Sequence, residues 1–481
     1  MIKVYFLFTI WLTVHFGFIQ PAYSKPATLY GTCSDNAIDE INIISFSQFW
    51  WNNEPPINLG KGDKLLGNSF LVHVKIDKQQ EVQFQIHGKS WNIFVSPGDS
   101  IHFIISQSEG GYDIIFSGKN SANYNYYNQL SKVIRPDADD PRFEGDSKAY
   151  QEEVNIWHNK KLQFLSHFKA TNQLTKYFNW FATTEINYER GVLLYRPLQT
   201  SQLKIQNVSE NYFNDINALE WNDERLLEVG RFNVALVLRY IYCFTEDPWH
   251  NLDKIRDNIN QSFTGKIREY LICSMINIYA KKQSEEYHDK LIELIKMTEE
   301  QLTDSTYIKD VAKSKVIYLM LNKAFPEHIL ASTYLMDFNT NKRLTLAELL
   351  KQYEGNAVYI DFWASWCGAC RVDISESEQA KEFLKSKNVS VIYISIDKDK
   401  DAEKWRRASV SDKVTVNQYL LENNLSAPLS KYLSLNFIPR YVLLNRKHLA
   451  YNIDAPRINQ NNFTQLKETV SKMQIEIVTF K

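Results

Sequence analysis

The sequence predicts a multidomain protein with an N-terminal antiparallel β domain, a central α-helical region and a C-terminal α/β domain. Three patterns predict it. Apolar residues recur with period two from about residue 37 to 118, then with helical spacing to about Ala324, then in buried strands that alternate with helices. The divisions that follow are 1–24 for a signal peptide, 25–120 for a β-sandwich-like domain, 121–328 for the helical region and 329–481 for the α/β domain.

A chain of 481 residues is too long for one hydrophobic core, so several domains are expected on size alone. With 44% hydrophobic and 23% charged residues, the composition is globular rather than disordered or fibrous. A formal net charge of -1, with no Lys/Arg run, gives no electrostatic reason to expect nucleic acid as a partner. The opening MIKVYFLFTIWLTVHFGFIQPAYSK sets Lys3 before an almost uncharged run from Val4 to Phe18 and ends in Ala22-Tyr23-Ser24, the pattern of a secretory signal cleaved after Ser24. The run is short for a membrane anchor, and His15 suits one poorly. Cys33 lies past it behind Thr32, which argues against lipid attachment. Export to the periplasm or cell envelope is therefore expected, with peripheral or no membrane contact.

The β domain rests on Phe70, Val72, Val74 and Ile76, on Val82, Phe84 and Ile86, and on Ile101, Phe103 and Ile105, each set alternating with other residues. NLGKGDK, HGKS, SPGDS and SEGGY supply the turns, so a small antiparallel sandwich or barrel is expected. His73, His87 and His102 fall in these strands and are read as ordinary strand residues. In the helical region, Val234, Val237, Leu238 and Ile241 follow three-and-four spacing before Asp247-Pro248 stops the helix. Residues 285–302 and 307–324 predict two more helices. No repeat of fixed period is evident.

After AFPEH the pattern changes. AVYIDFW is a continuous apolar strand, ISESEQAKEFLKSK is helical with Ala380, Phe383 and Leu384 on one stripe, and VSVIYISID is a second buried strand. RYVLLN and LAYNID follow as an apparent hairpin, and NNFTQLKETVSKM closes with a helix. Strand, helix and strand in that order imply a parallel pair with a crossover.

Two of the five cysteines stand in DFWASWCGAC, where the strand ending near Trp363 gives way to the helix containing Ile374 and Phe383. A thiolate at a helix N-terminus is stabilised by the dipole and by unpaired N–H groups, which makes Cys367 the nucleophile. Cys370, three residues on, shares its side of the helix within reach of a disulfide. A structural zinc site wants four ligands, and no second Cys-x-x-Cys or His-x-x-x-His accompanies the pair. Redox chemistry is the favoured reading, with a structural disulfide and a metal site as rivals. Cys33, Cys243 and Cys273 are read as idle thiols, with a Cys243–Cys273 bridge between neighbouring helices left open.

YIDFWASWCGACR and NFIPRYVLLN resemble the thioredoxin superfamily, and more closely the TlpA/ResA-like thiol:disulfide oxidoreductases of the bacterial envelope. MDFNTNKRLTLAELL resembles that family's entry, a short strand pair leading into a helix, while SPGDSI and FSGKNSANYNYYNQL are similar to an N-terminal extension found in one group of them. The resemblance makes the α/β domain thioredoxin-like, Cys367 the attacking thiolate and Cys370 the resolving thiol. It implies that Ile438-Pro439 is a cis bond against the cysteine pair and that Ile438, Pro439 and Trp366 meet the substrate. Trp363 packs beneath the loop. Asp361 takes the place of a buried acid that accepts the Cys370 proton. Asp373 takes the place of a glutamate that tunes the thiols, one methylene shorter. Ala369 and Ser375 replace prolines usual in the family, and the turn NRKH lacks its usual glycine, so an irregular edge is expected there. No cofactor is implied beyond the Cys367–Cys370 disulfide itself. The implied partners are disulfide-containing envelope proteins and a membrane electron donor. Rival readings are an oxidase or isomerase using the same cysteines, a peptide- or glycan-binding protein with an accessory redox domain, and a metal carrier.

Overall fold

Eight strands form one sheet in the first part of the protein, with buried and open positions alternating most clearly over Ala27–Cys33 and over residues 70–74, 82–86 and 101–105. The structure, a computed structural model, describes residues 25–479 except 36–37, 47–55, 87–88, 109–110, 136–138, 244–250, 283–287 and 460–461. The signal peptide expected over 1–24, His87 and the Asp247-Pro248 helix stop lie outside the described residues, as does the side chain of Cys243. The chain divides into two compact units, one built on Pro56–Glu220 and Arg225–Leu238 with the strands before them, the other on Arg239–Lys481 with Trp221–Glu224.

The strands of the first unit are β1 (Ala27–Cys33), β2 (Ile41–Ser45), β3 (Ile57–Lys64), β4 (Ser69–Val74), β5 (Gln80–Ile86), β6 (Lys89–Val95), β7 (Ser100–Ser108) and β8 (Gly111–Ser117). Their order is β6-β5-β2-β3-β4-β1-β7-β8. Every pair is antiparallel except β1 and β7, which run parallel with Leu29 beside Ile101. Phe84 of β5 meets Phe103 of β7 and Phe116 of β8 at ring separations of 5.4 and 5.9 Å. Strands far apart in the sheet order thus face each other, and the sheet curls around one apolar core. Helices α1 (Ser121–Val133), α2 (Ser147–Thr171), α3 (Lys176–Gln199) and α4 (Asn214–Asn217) follow. Helix α1 is pinned to β8 by Asn125, whose amide donates to the Phe116 carbonyl at 2.7 Å and accepts the Phe116 N–H at 3.0 Å.

Helix α5 (Gly230–Cys243) contributes to both units, and α6 (Leu252–Ser262), α7 (Gly265–Lys282), α8 (His288–Glu299) and α9 (Ser305–Met320) belong to the second. The helical region therefore forms no unit of its own. Among the described residues no helix is long and apolar enough to cross a membrane.

The α/β domain opens with α10 (Glu327–Ser332), β9 (Tyr334–Asp337), β10 (Arg343–Thr345) and α11 (Leu346–Lys351). Thr345 and Glu348 close a reciprocal cap at the start of α11. There follow β11 (Ala357–Trp363), α12 (Gly368–Ser375), α13 (Glu378–Ser386), β12 (Val389–Ser395), α14 (Ala402–Ser411), β13 (Gln418–Leu421), α15 (Pro428–Tyr432), β14 (Arg440–Leu444), β15 (Ala450–Asn452) and α16 (Phe463–Thr479). The sheet order is β10-β9-β13-β12-β11-β14-β15, with β11 parallel to β12 and antiparallel to β14.

All seven residues of β11 are buried because the sheet is covered on both faces. Val358, Ile360 and Phe362 pack on one side, and Ala357 and Tyr359 pack on the other against α13 and α16. One local feature departs from the sequence reading. The single helix expected through Ile374 and Phe383 is broken into α12 and α13, where the Ser377 hydroxyl donates to the Ile374 carbonyl at 2.6 Å and competes with helical pairing. The β14–β15 hairpin shifts register at Leu443/Leu444, and His448 takes the left-handed conformation, with φ 54, at a turn that lacks glycine. The Asn445 carboxamide offsets that strain by accepting the N–H groups of Lys447 and Leu449.

Candidate functional site

The loop between β11 and α12 is fastened before it reaches the cysteines. Asp397, fully buried just past β12, accepts the Ser365 N–H at 2.8 Å, the Ser365 hydroxyl at 2.6 Å and the Ser395 hydroxyl at 2.7 Å. The Trp363 indole donates to Gln418 at 3.1 Å, and its carbonyl accepts the Ile396 N–H at 2.8 Å. On the far side, Arg371 of α12 makes a two-pronged pair with Asp412, both contacts 2.7 Å.

Cys367 is the N-cap of α12, and its Sγ accepts the Cys370 N–H at 3.1 Å. Helix start and sulfur are thus joined directly, which is the arrangement that stabilises a thiolate. The two cysteines form a disulfide with Cα atoms 5.3 Å apart. Cys367 is 7% exposed and Cys370 1%, so an incoming thiol or disulfide meets Cys367 first. Trp366 beside it is 66% exposed, an uncovered aromatic at the mouth of the site.

The Ile438–Pro439 bond is cis. Ile438 packs against the same apolar cluster that contains Cys367, Cys370 and Trp363. Immediately after it, Arg440 donates to the Ile453 carbonyl at 2.9 Å, fixing the start of β14.

Asp361 is buried, and both of its carboxylate oxygens lack a hydrogen-bond partner among the described residues. Desolvation pushes its pKa well above the usual carboxylate value, the negative charge of Asp373 adds to the shift, and Lys381 and Arg457 oppose it. Asp373 is equally buried but fully served. The Tyr441 hydroxyl donates to it at 2.6 Å, the Arg457 guanidinium at 2.6 Å and the Asn459 amide at 2.7 Å. Among the described residues its hydrogen bonds run to these three groups and not to the cysteines. The structure therefore gathers Cys367, Cys370, Trp363 and Ile438 in one cluster. It places Asp361 and Asp373 in electrostatic contact among Tyr359 and Tyr441.

Sequence reasoning missed Asp397, Gln418, the Arg371–Asp412 pair and the three donors on Asp373. Only Asp397 carried a signal: an acid directly after a buried parallel strand stands where α/β sheets assemble their sites. Of the remaining cysteines, Cys33 and Cys273 are free and buried, and burial raises both thiol pKa values. Among the described residues no group of three or more His, Cys, Asp or Glu side chains could hold a metal ion.

The Redoxin family model matches residues 324–462. An uncharacterized protein of Haemophilus influenzae is 38% identical over 71 residues, which are 15% of this chain and 42% of that protein, so the match spans less than half of the relative. Among solved structures, the thioredoxin domain of a Bacteroides vulgatus thiol-disulfide oxidoreductase is 20% identical, covering 31% of this chain and 97% of its own, with a TM-score of 0.26. A thiol:disulfide interchange protein from Bacteroides sp. is 19% identical, covering 30% and 88%, with a TM-score of 0.25. A secreted disulfide oxidoreductase of Mycobacterium tuberculosis is 15% identical, covering 31% and 99%, with a TM-score of 0.24.

Proposed function

We infer that this chain, which carries a Redoxin domain of the thioredoxin superfamily over residues 324–462, is an exported thiol:disulfide oxidoreductase that reduces disulfides in envelope proteins. The observation that carries the reading is the Cys367–Cys370 disulfide at the N-terminus of α12, with the more accessible sulfur held by a helix N–H. The leader pattern of residues 1–24 supports export.

In the reduced domain the Cys367 thiolate attacks one sulfur of a client disulfide. A mixed disulfide forms, and the other client sulfur leaves as a thiolate that takes up a proton. Cys370 then loses its proton and attacks Cys367 Sγ. The second client sulfur departs, two electrons have passed to the client, and the domain holds the Cys367–Cys370 disulfide. Asp361 accepts the Cys370 proton, since a carboxyl group whose pKa is raised by burial is matched to a thiol better than an ordinary one. Asp373 acts on the thiols through the charge it places beside Asp361, with Tyr441, Arg457 and Asn459 holding it in position. Trp366, Ile438 and Pro439 form the surface a client strand meets. A membrane electron donor restores the dithiol, and no bound cofactor is required.

Trapping with Cys370→Ser tests the reading. The variant cannot resolve the mixed disulfide, so client proteins should remain bound to Cys367 when it is expressed in the native envelope. No trapped partner would remove exchange as the function. Redox titration against glutathione tests direction, since a potential near that of a strong oxidant, about −120 mV, contradicts a reductase.

A further inference from the structure

Asp361 has an electrostatic task that its surroundings make difficult. To take the Cys370 proton it must enter the resolving step as a carboxylate, yet it is buried, has no hydrogen-bond donor among the described residues and stands beside the charge of Asp373. It needs a counter-charge, and Lys381 and Arg457 are the two cations whose charge reaches it.

The register of the sheet shows how they differ. Asp361 of β11 pairs with Tyr393 of β12 and with Tyr441 of β14, so the three side chains share one sheet face. On the Tyr441 side, α12 supplies Asp373, and Arg457 donates to that carboxylate at 2.6 Å. That cation is committed. On the Tyr393 side, α13 supplies Lys381, whose Nζ stands over the Tyr393 ring, 5.7 Å from its centre.

Lys381 is half-buried and, among the described residues, holds no ion pair or hydrogen bond. It lines a cavity of ≈ 480 Å³ with Tyr393, Lys385 and Lys413, and among the described residues no acid stands in that wall to compete for the ammonium. The acids whose charge reaches it are Glu378, one turn earlier on α13, and Asp361. Burial lowers the Lys381 pKa, and these two charges oppose the shift. The remaining titratable groups around Asp361 are Tyr359, Tyr393 and Tyr441. Burial first, and then the charge of Asp361, raises the pKa of each, so all three stay neutral near pH 7.

We propose that Lys381 is a positioning residue for disulfide exchange, its ammonium holding Asp361 in the ionised form that receives the Cys370 proton. The inference rests on the exchange reading given above. In the resolving step the proton passes from the Cys370 thiol to the Asp361 carboxylate, the Cys370–Cys367 bond forms, the bond from Cys367 to the client breaks, and the client sulfur leaves as a thiolate. Lys381 transfers no proton itself. It sets the pH at which Asp361 can begin.

Single-turnover release of a chromogenic mixed disulfide by the full chain, followed from pH 5 to pH 9, tests it. In Lys381→Met the rising limb should move up by about one pH unit, which makes release on that limb about tenfold slower. Lys381→Arg keeps the charge and should stay near the parent profile. Both residues are good helix formers, and formation of the mixed disulfide by Cys367 should be unchanged in both variants. In an Asp361→Asn background, Lys381→Met should change release no further, because the carboxylate it acts on is gone. An unmoved limb in Lys381→Met, a shift of the same size in Lys381→Arg, or an undiminished effect in the Asp361→Asn background would each overturn the proposal and leave the exchange reading intact. A parent protein that forms no mixed disulfide would overturn both.

Discussion

The charge on Asp373 adds to the burial that raises the pKa of Asp361, yet among the described residues Asp373 alone of the two has hydrogen-bond donors. Arg457, Tyr441 and Asn459 all serve one carboxylate of the two. The other, Asp361, is buried with no donor among the described residues, and burial favours the proton.

Replacing Asp361 with Asn should therefore stabilise the protein, by an amount that grows with pH. The folded-state pKa lies above the unfolded value, so between the two the native state binds more protons and stability falls as pH rises. The window opens near the unfolded pKa of about 3.9 and extends upward, with a slope of at most about 1.4 kcal/mol per pH unit. Urea unfolding from pH 4 to pH 8 checks this. Parallel stability curves for the two proteins would show that Asp361 titrates normally.

Tyr441→Phe removes a donor from a buried carboxylate and leaves the ring in place. The expected loss is about 1.5–3 kcal/mol, the usual worth of a hydrogen bond to a charged group. Denaturant midpoints give the number. An unchanged midpoint would mean that Arg457 and Asn459 suffice to hold Asp373.

In the reduced protein, Cys367 should be alkylated by iodoacetamide with a half-maximal pH below about 8.5, the value for free cysteine, while Cys370 resists. The cause is the Cys370 N–H directed at Cys367 Sγ together with the greater exposure of Cys367. Mass spectrometry of the two peptides across a pH series distinguishes them. Equal labelling, or a profile like that of free cysteine, would deny Cys367 its role as nucleophile.

Asp361→Asn should also separate the two chemical steps. Attack by Cys367 needs no proton acceptor once its thiolate has formed, whereas Cys370 must shed a proton. Release of the mixed disulfide should slow by about a hundredfold, the lower range for a lost general base, with formation little changed. Stopped-flow thiol exchange with a chromogenic disulfide resolves the phases. Equal slowing of both would assign Asp361 a structural role only.

Much of this site could be read from local sequence. AVYIDFW announced a buried strand, and the family resemblance marked Asp361 within it as a buried acid. The cysteine spacing at a strand-to-helix junction announced the N-cap position. What could not be read are partners that the fold brings together. Ser365 and Asp397 are 32 residues apart, Trp363 and Gln418 are 55 apart, and Asp373 and Tyr441 are 68 apart. Periodicity reports which face a residue occupies and not which residue it meets there. The same limit hid the parallel β1–β7 pair, since alternation is identical in parallel and antiparallel strands. Nor does helical spacing mark where Ser377 diverts a carbonyl and breaks the helix after α12.

Asp397 gives the clearest case of a residue that acts through others. It holds Ser365 by two hydrogen bonds and Ser395 by one, so the loop before Cys367 is fixed to the end of β12. Asp397→Ala leaves these donors without an acceptor in a buried setting, and a cost of about 2–4 kcal/mol is expected. Stability alone would not separate a positioning role from a merely structural one. Paired with Ser365→Ala in a double-mutant cycle, a coupling of about 0.5–3 kcal/mol is expected, since the two side chains share one network. The Cys367 alkylation profile supplies the second readout. If the loop positions the sulfur at the helix start, its half-maximal pH should move up toward that of free cysteine in Asp397→Ala. A destabilised variant whose Cys367 profile stays unchanged would limit Asp397 to holding the fold together.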